Sequence, residues 1–124
     1  MDEQHVRKTW GYEKWFANNE QYCGKLIAVN LNQFSSDGKF HYHKIKDETF
    51  FVIEGNLLLE YVEDGMFYSI TLEPHQSFRV FPGVKHRFST ASKQCRFIEA
   101  STTHRESDSY RCEWDKEKGE WNEG

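Results

Sequence analysis

The chain has 124 residues, enough for one domain that buries its own core without disulfides or a structural metal. Sixteen lysines and arginines stand against 20 acidic residues, a formal charge of −4, which argues against a general nucleic-acid or anionic-membrane surface and leaves small molecules as the expected partners. No apolar run approaches the roughly eighteen residues of a membrane span, and Met1-Asp2-Glu3-Gln4-His5 lacks the basic-then-apolar layout of a signal peptide, so a cytoplasmic location is expected.

Trp10, Tyr12, Trp15 and Phe16 make an aromatic N-terminal segment, read first as a strand or lid that packs over the rest, and second as a platform for sugar rings. Short runs rich in Phe, Tyr, Val and Ile then recur between turn signals and predict strands over residues 25–30, 39–44, 49–54, 56–63, 67–72, 77–81, 86–91 and 96–101. Asp64-Gly65 marks a tight hairpin between two of them. Eight strands at this spacing predict an all-β domain closed into a small barrel, with residues 1–111 as its body. Residues 112–124 are polar and lack periodicity, and they are expected to form a mobile tail. Cys23, Cys95 and Cys112 are an odd number without a CxxC spacing and read as buried small residues.

Chemistry concentrates at His41, His43, Glu48 and His86. Residues i and i+2 of a strand share a face, so His41 and His43 can present two imidazoles side by side. Lys44 to Asp47 leave room for a turn that brings Glu48 onto the neighbouring strand, and His86 must arrive from a separate strand pair. Such a set reads as four metal ligands; the plain alternative is surface or core histidines that fall at this spacing by accident. Lys39 has the parity of His41 and His43 and points inward if the strand starts there, or sits at a solvated rim if the strand starts at Phe40.

With Gly55 and Gly83 in their expected places, this pattern resembles the two motifs of the cupin family, although Ser35, His75, Phe81 and Thr90 replace other motif residues. The resemblance implies a single-domain jelly-roll β-barrel with a divalent metal ion (Mn, Fe, Co, Ni or Zn) held inside by His41, His43, Glu48 and His86. Lys8 to Trp15, Gln76-Ser77, Gly83 to Arg87, and Ile98-Glu99 with Glu106, Asp108 and Arg111 are further similar to sugar-isomerase cupins. These are the C-terminal domain of type II mannose-6-phosphate isomerases, the D-lyxose isomerases and small cupins associated with sialic acid synthases. That likeness implies an aldose–ketose isomerase acting on a sugar or sugar phosphate, with Lys39, Glu99 and Arg111 as candidate catalytic residues, and a homodimer. A non-catalytic carbohydrate-binding cupin and a metal-dependent cupin dioxygenase are the competing expectations.

Overall fold

In a computed structural model, which describes residues 4–123, the chain builds two facing sheets, with burial alternating along central strands such as those over residues 48–54 and 94–101. The strands are β1 (Gln4–Lys8), β2 (Gly11–Asn18), β3 (Cys23–Asn30), β4 (Phe40–Tyr42), β5 (Glu48–Glu54), β6 (Leu57–Glu63), β7 (Met66–Leu72), β8 (Ser77–Val80), β9 (His86–Ser89), β10 (Gln94–Ser101), β11 (Tyr110–Asp115) and β12 (Glu120–Glu123). They pair in the orders β1-β2-β3-β10-β5-β8 and β12-β11-β4-β9-β6-β7, six strands to a sheet, consistent with a jelly-roll barrel. Neighbouring strands run antiparallel, so each sheet can turn one face to the core.

Period-two alternation fixes which side chains fill the interior. On β5, Glu48, Phe50 and Val52 are buried while Phe51 and Ile53 face out. Phe50, Val52, Ile27, Val29, Leu57, Leu59, Phe88 and Phe97 form one continuous core, closed at one end by Trp10, whose indole meets Phe88 edge-on at 5.2 Å. Burying each large side chain contributes about 2 kcal/mol, which offsets the entropy of ordering the strands. Gly55 makes the β5–β6 turn at φ 74, and a Cβ there would lie 2.4 Å from the Gln94 carbonyl oxygen, so the turn requires glycine.

Each of the eight expected strand regions contains a strand, with shifted ends. β4 begins at Phe40 because a 3-10 turn over Ser35–Gly38 occupies the residues before it. Among the described residues there are four further strands. The aromatic N-terminal segment is a β1–β2 hairpin that extends the first sheet beyond β3. The C-terminal residues also differ from the expected mobile tail: the boundary drawn at residue 111 falls inside β11, which pairs with β4 and with β12. Trp114 stands opposite Trp121 in that pair, and Asp115 closes the turn by accepting the backbone N–H groups of Glu117 and Lys118. Among the described residues, no helix is long and apolar enough to cross a membrane.

Candidate functional site

Short strands deliver the four expected site residues to one end of the barrel interior. His41 on β4 stands in register with His86 at the start of β9, and their ring centroids are 4.1 Å apart. His43 follows β4, with its ring centroid 5.7 Å from that of His41. Glu48 opens β5 with its Oε2 3.5 Å from His43 Nε2 and 3.4 Å from His86 Nε2. Glu48 and His86 are buried.

Hydrogen bonds on the far side of the rings orient them. His43 Nδ1 lies 2.8 Å from the Asp108 carbonyl oxygen and His86 Nδ1 lies 2.9 Å from that of Val84. Each bond needs a proton on Nδ1, which leaves Nε2 of the neutral ring as an acceptor aimed at the site. Burial, reinforced by the neighbouring imidazoles, holds His41 well below the ordinary histidine range, and burial lowers His43 as well. Glu48 Oε2 and His86 Nε2 are buried without a hydrogen-bond partner. Two acceptors that face each other at 3.4 Å repel unless a cation lies between them. Among the described residues, no group of three or more His, Cys, Asp and Glu side chains is drawn up as a metal-holding cluster as it stands. The fit to a divalent ion therefore rests on the donor types, three imidazoles and a carboxylate, and on these facing acceptors.

Beside this set opens a cavity of about 120 Å³ whose lining carries four cations, Lys8, Lys25, Lys46 and Arg111, and four carboxylates, Glu13, Glu48, Glu99 and Glu106. Lys46 and Glu99 are both buried and form an ion pair at 2.5 Å. Burial alone would lower Lys46, but the Glu99 and Glu48 carboxylates outweigh it and push the ammonium up to about 12. Burial likewise opposes ionisation of Glu99, yet Lys46 and Lys25 hold its carboxyl well below the usual range. His104 Nδ1 accepts from both Lys25 Nζ at 3.2 Å and Lys46 Nζ at 3.1 Å, so the ring proton sits on Nε2 and points to Glu106. Burial and these two ammonium groups keep His104 neutral by lowering its pKa.

Of the candidate catalytic residues, Glu99 and Arg111 line this cavity, Glu99 deep within it and Arg111 exposed on β11 beside His41. Lys39 does not. It follows the 3-10 turn, outside β4 and away from the lining, so of its two expected placements the structure takes the one in which the strand starts at Phe40. Two lysines are buried there instead, Lys25 on β3 and, in the stretch between the site residues, Lys46. It sits in the loop between His43 and Glu48 because the Asp108 carboxylate accepts the N–H groups of Lys44, Ile45 and Lys46. A loop residue positioned from 62 positions away has no periodicity to reveal it.

The Cupin domain family matches residues 30–101, a segment that spans the four site residues. Oxalate decarboxylase from Bacillus subtilis superposes with a TM-score of 0.78 at 13% identity, over 89% of this chain and 30% of its own. KdgF from Halomonas sp. superposes with a TM-score of 0.69 at 18% identity, over 86% of this chain and 90% of its own. CapF, solved with the inhibitor 3-isopropenyl-tropolone, gives 0.75 at 13% identity, over 88% of this chain and 33% of its own. This chain thus spans about a third of the oxalate decarboxylase and CapF chains and nearly all of KdgF, and at these identities the likeness is one of fold. No curated protein matches the sequence.

Proposed function

The chain belongs to the Cupin domain family, and on that premise we propose that it is a divalent-metal-dependent isomerase that interconverts an aldose and a ketose, on a sugar or sugar phosphate, by moving the C2 proton. The observation that carries the reading is the unpartnered, facing pair Glu48 Oε2 and His86 Nε2 beside a cavity that also holds the buried Lys46–Glu99 pair. In this reading His41, His43, Glu48 and His86 hold the ion, and Mn, Fe, Co, Ni and Zn all suit the set. Bound there, a divalent ion supplies the Lewis acidity that polarises a substrate carbonyl.

The chain's own residues do the rest. Glu99, kept ionised by Lys46 and Lys25, takes the C2 proton and returns it to C1, while the O2 hydroxyl proton passes to O1 as the carbonyl moves from C1 to C2. Lys46, which stays protonated, donates a hydrogen bond to the oxygen on which negative charge develops. Trp10, Ile27, Phe50 and Phe88 line the apolar side and limit water at the reacting carbons. The lining's four cations and four carboxylates cancel, so a divalent ion leaves an excess of two positive charges. That excess favours a phosphorylated sugar over a neutral one, with Arg111 at the mouth to receive the phosphate. The same reading includes a homodimer, supported by Phe51 and Ile53 exposed on the outer face of β5; a sedimentation measurement with Phe51→Glu tests it.

The test is proton NMR in D2O of mannose, lyxose and their phosphates with the apoprotein loaded with Mn, Co, Ni or Zn. The expected result is loss of the C2 proton signal and growth of ketose resonances, both abolished by His41→Ala. An occupied site that exchanges no C2 proton in any of these sugars would overturn the isomerase reading.

A further inference from the structure

We propose that a groove on the outer face of the second sheet is a saccharide-binding site in its own right, shaped for a neutral pyranose ring. β4 and β9 each turn one residue inward and its neighbour outward. His41 and His86 face the barrel interior, while Phe40 and Arg87 face the opposite side. The C-terminal hairpin folds over that outer side. Trp121 seals part of it by packing edge-on to Phe40 at 5.4 Å and against Phe67 at 5.9 Å. Trp114 does not complete the seal. It meets Phe67 at 5.5 Å and 69°, stays 38% exposed, and leaves a groove of about 390 Å³, a size typical of small-molecule sites.

The chemistry of the groove selects the ligand. Phe40 is buried at the floor of the groove, and the exposed Phe67 and Trp114 line it at a steep angle to one another, which suits the C–H faces of a sugar ring. Beside them Arg87 and Glu60 form a two-pronged pair at 3.1 Å per contact, and Arg87 also donates to the Gly38 carbonyl oxygen at 2.7 Å. This pair is held in place and only partly buried, so it presents donors and acceptors together, as vicinal hydroxyls require. Arg87 and Lys116 balance Glu60 and Glu113, so the groove has no net charge to attract a phosphate, a carboxylate or an ammonium ion. A purely apolar partner would bury the Arg87–Glu60 pair and the charges of Lys116 and Glu113 at a cost of desolvation. A neutral, polyhydroxylated ring satisfies both the aromatic walls and the balanced rim. The inference stands apart from the catalytic reading, since none of the groove residues reaches the barrel cavity.

Saturation-transfer NMR with methyl α-D-mannopyranoside and with maltose tests it on three proteins: the wild type, Trp114→Ala, and the double variant His41→Ala with His43→Ala. The expected result is ring-proton enhancement that persists in the double histidine variant and weakens roughly tenfold in apparent affinity with Trp114→Ala. Should Trp114→Ala fail to fold, Trp114→Phe keeps a smaller platform and is expected to lose about threefold. Enhancement that vanishes with the histidines and survives at Trp114→Ala assigns the sugar to the barrel and overturns the proposal. So does a lack of enhancement with both sugars, or a Trp114→Ala effect confined to the sedimenting mass, which would make the face a contact between copies of the chain.

Discussion

Gly83 donates its backbone N–H to the His43 carbonyl oxygen across 2.6 Å, so the turn that carries His86 is fastened to the end of the strand that carries His43. Gly83 has φ 87, a conformation that side chains resist, and no atom lies within 4 Å of where its Cβ would be. Gly83→Ala should therefore cost about 1–2 kcal/mol through backbone strain alone. The expected readout is a lower unfolding midpoint and weaker metal uptake, because the two histidines lose their common anchor. Unchanged metal affinity in a destabilised variant would show that the fastening serves the fold only.

Metal loading should stabilise the folded chain. At a free ion concentration of about 100 times Kd, linkage predicts a gain of about 2.7 kcal/mol, reversed by a chelator. Glu48→Gln and His86→Ala should each abolish most of the gain, because they remove the two facing acceptors. Thermal melts with and without Mn, Co, Ni or Zn measure this directly.

Lys46 and Lys39 should separate cleanly. Lys46→Met leaves the Glu99 carboxylate buried without its closest partner and should cost about 3 kcal/mol and the bulk of turnover. Lys39→Met removes a residue outside the cavity and should change stability by less than about 0.5 kcal/mol. Denaturant melts and turnover on the same pair of variants are the measurement. Equal effects would return the catalytic role to Lys39.

Acid should weaken the metal-free fold in two stages. His41, His43 and His104 are held below their unfolded value of 6.5, so between that pH and their folded values the unfolded chain binds more protons. Their contribution is complete above pH 6.5 and is lost as pH falls through the folded values. Glu99 is depressed in the same sense from 4.5, and its contribution, complete above that pH, fades at still lower pH. Unfolding midpoints recorded from pH 8 downward should hold level, then fall below about pH 6.5 and more steeply below about pH 4.5. His104→Asn should flatten the first stage. A midpoint that rises on acidification from pH 7 to 5 would contradict this account.

Asp108 holds the loop between His43 and Glu48 by accepting three successive N–H groups, and although burial opposes it, those donors together with His43 keep its carboxyl below the ordinary range. Asp108→Ala strands these donors and should cost about 3 kcal/mol. Amide hydrogen exchange at Lys44, Ile45 and Lys46 should accelerate ahead of the rest of the barrel.

The strands around Phe50, Leu59 and Phe97 were legible in the sequence because their apolar residues alternate where one face is buried. The four residues gathered at the end of the barrel were legible for the same reason, since spacing two on one strand and five to the next survives translation into geometry. The placement of Lys39 stayed open in the sequence because parity says which face a strand residue takes and not where the strand starts. Ser36 and Asp37 adopt φ 52 and 53 in a turn that Ser35-Ser36-Asp37-Gly38 announces by composition, although composition does not say where the strand after it begins. Lys46 and His104 escaped notice because their burial follows from long-range contacts with Asp108, Glu99 and Lys25. The C-terminal hairpin escaped because its pattern is two tryptophans among charges, a signature of an edge that covers an outer face rather than one that fills a core.

β4 is three residues long and touches its own sheet through β9 on one side and β11 on the other. A protease that cut the chain before Tyr110 would thus do more than trim an end. It would turn the segment bearing His41 into a margin with open amide and carbonyl groups, ready to be extended by a strand from another molecule. The last strands therefore act as a seam for the vessel, and fusing or shortening the chain at that end is the manipulation most apt to damage the chemistry at the other side of the sheet.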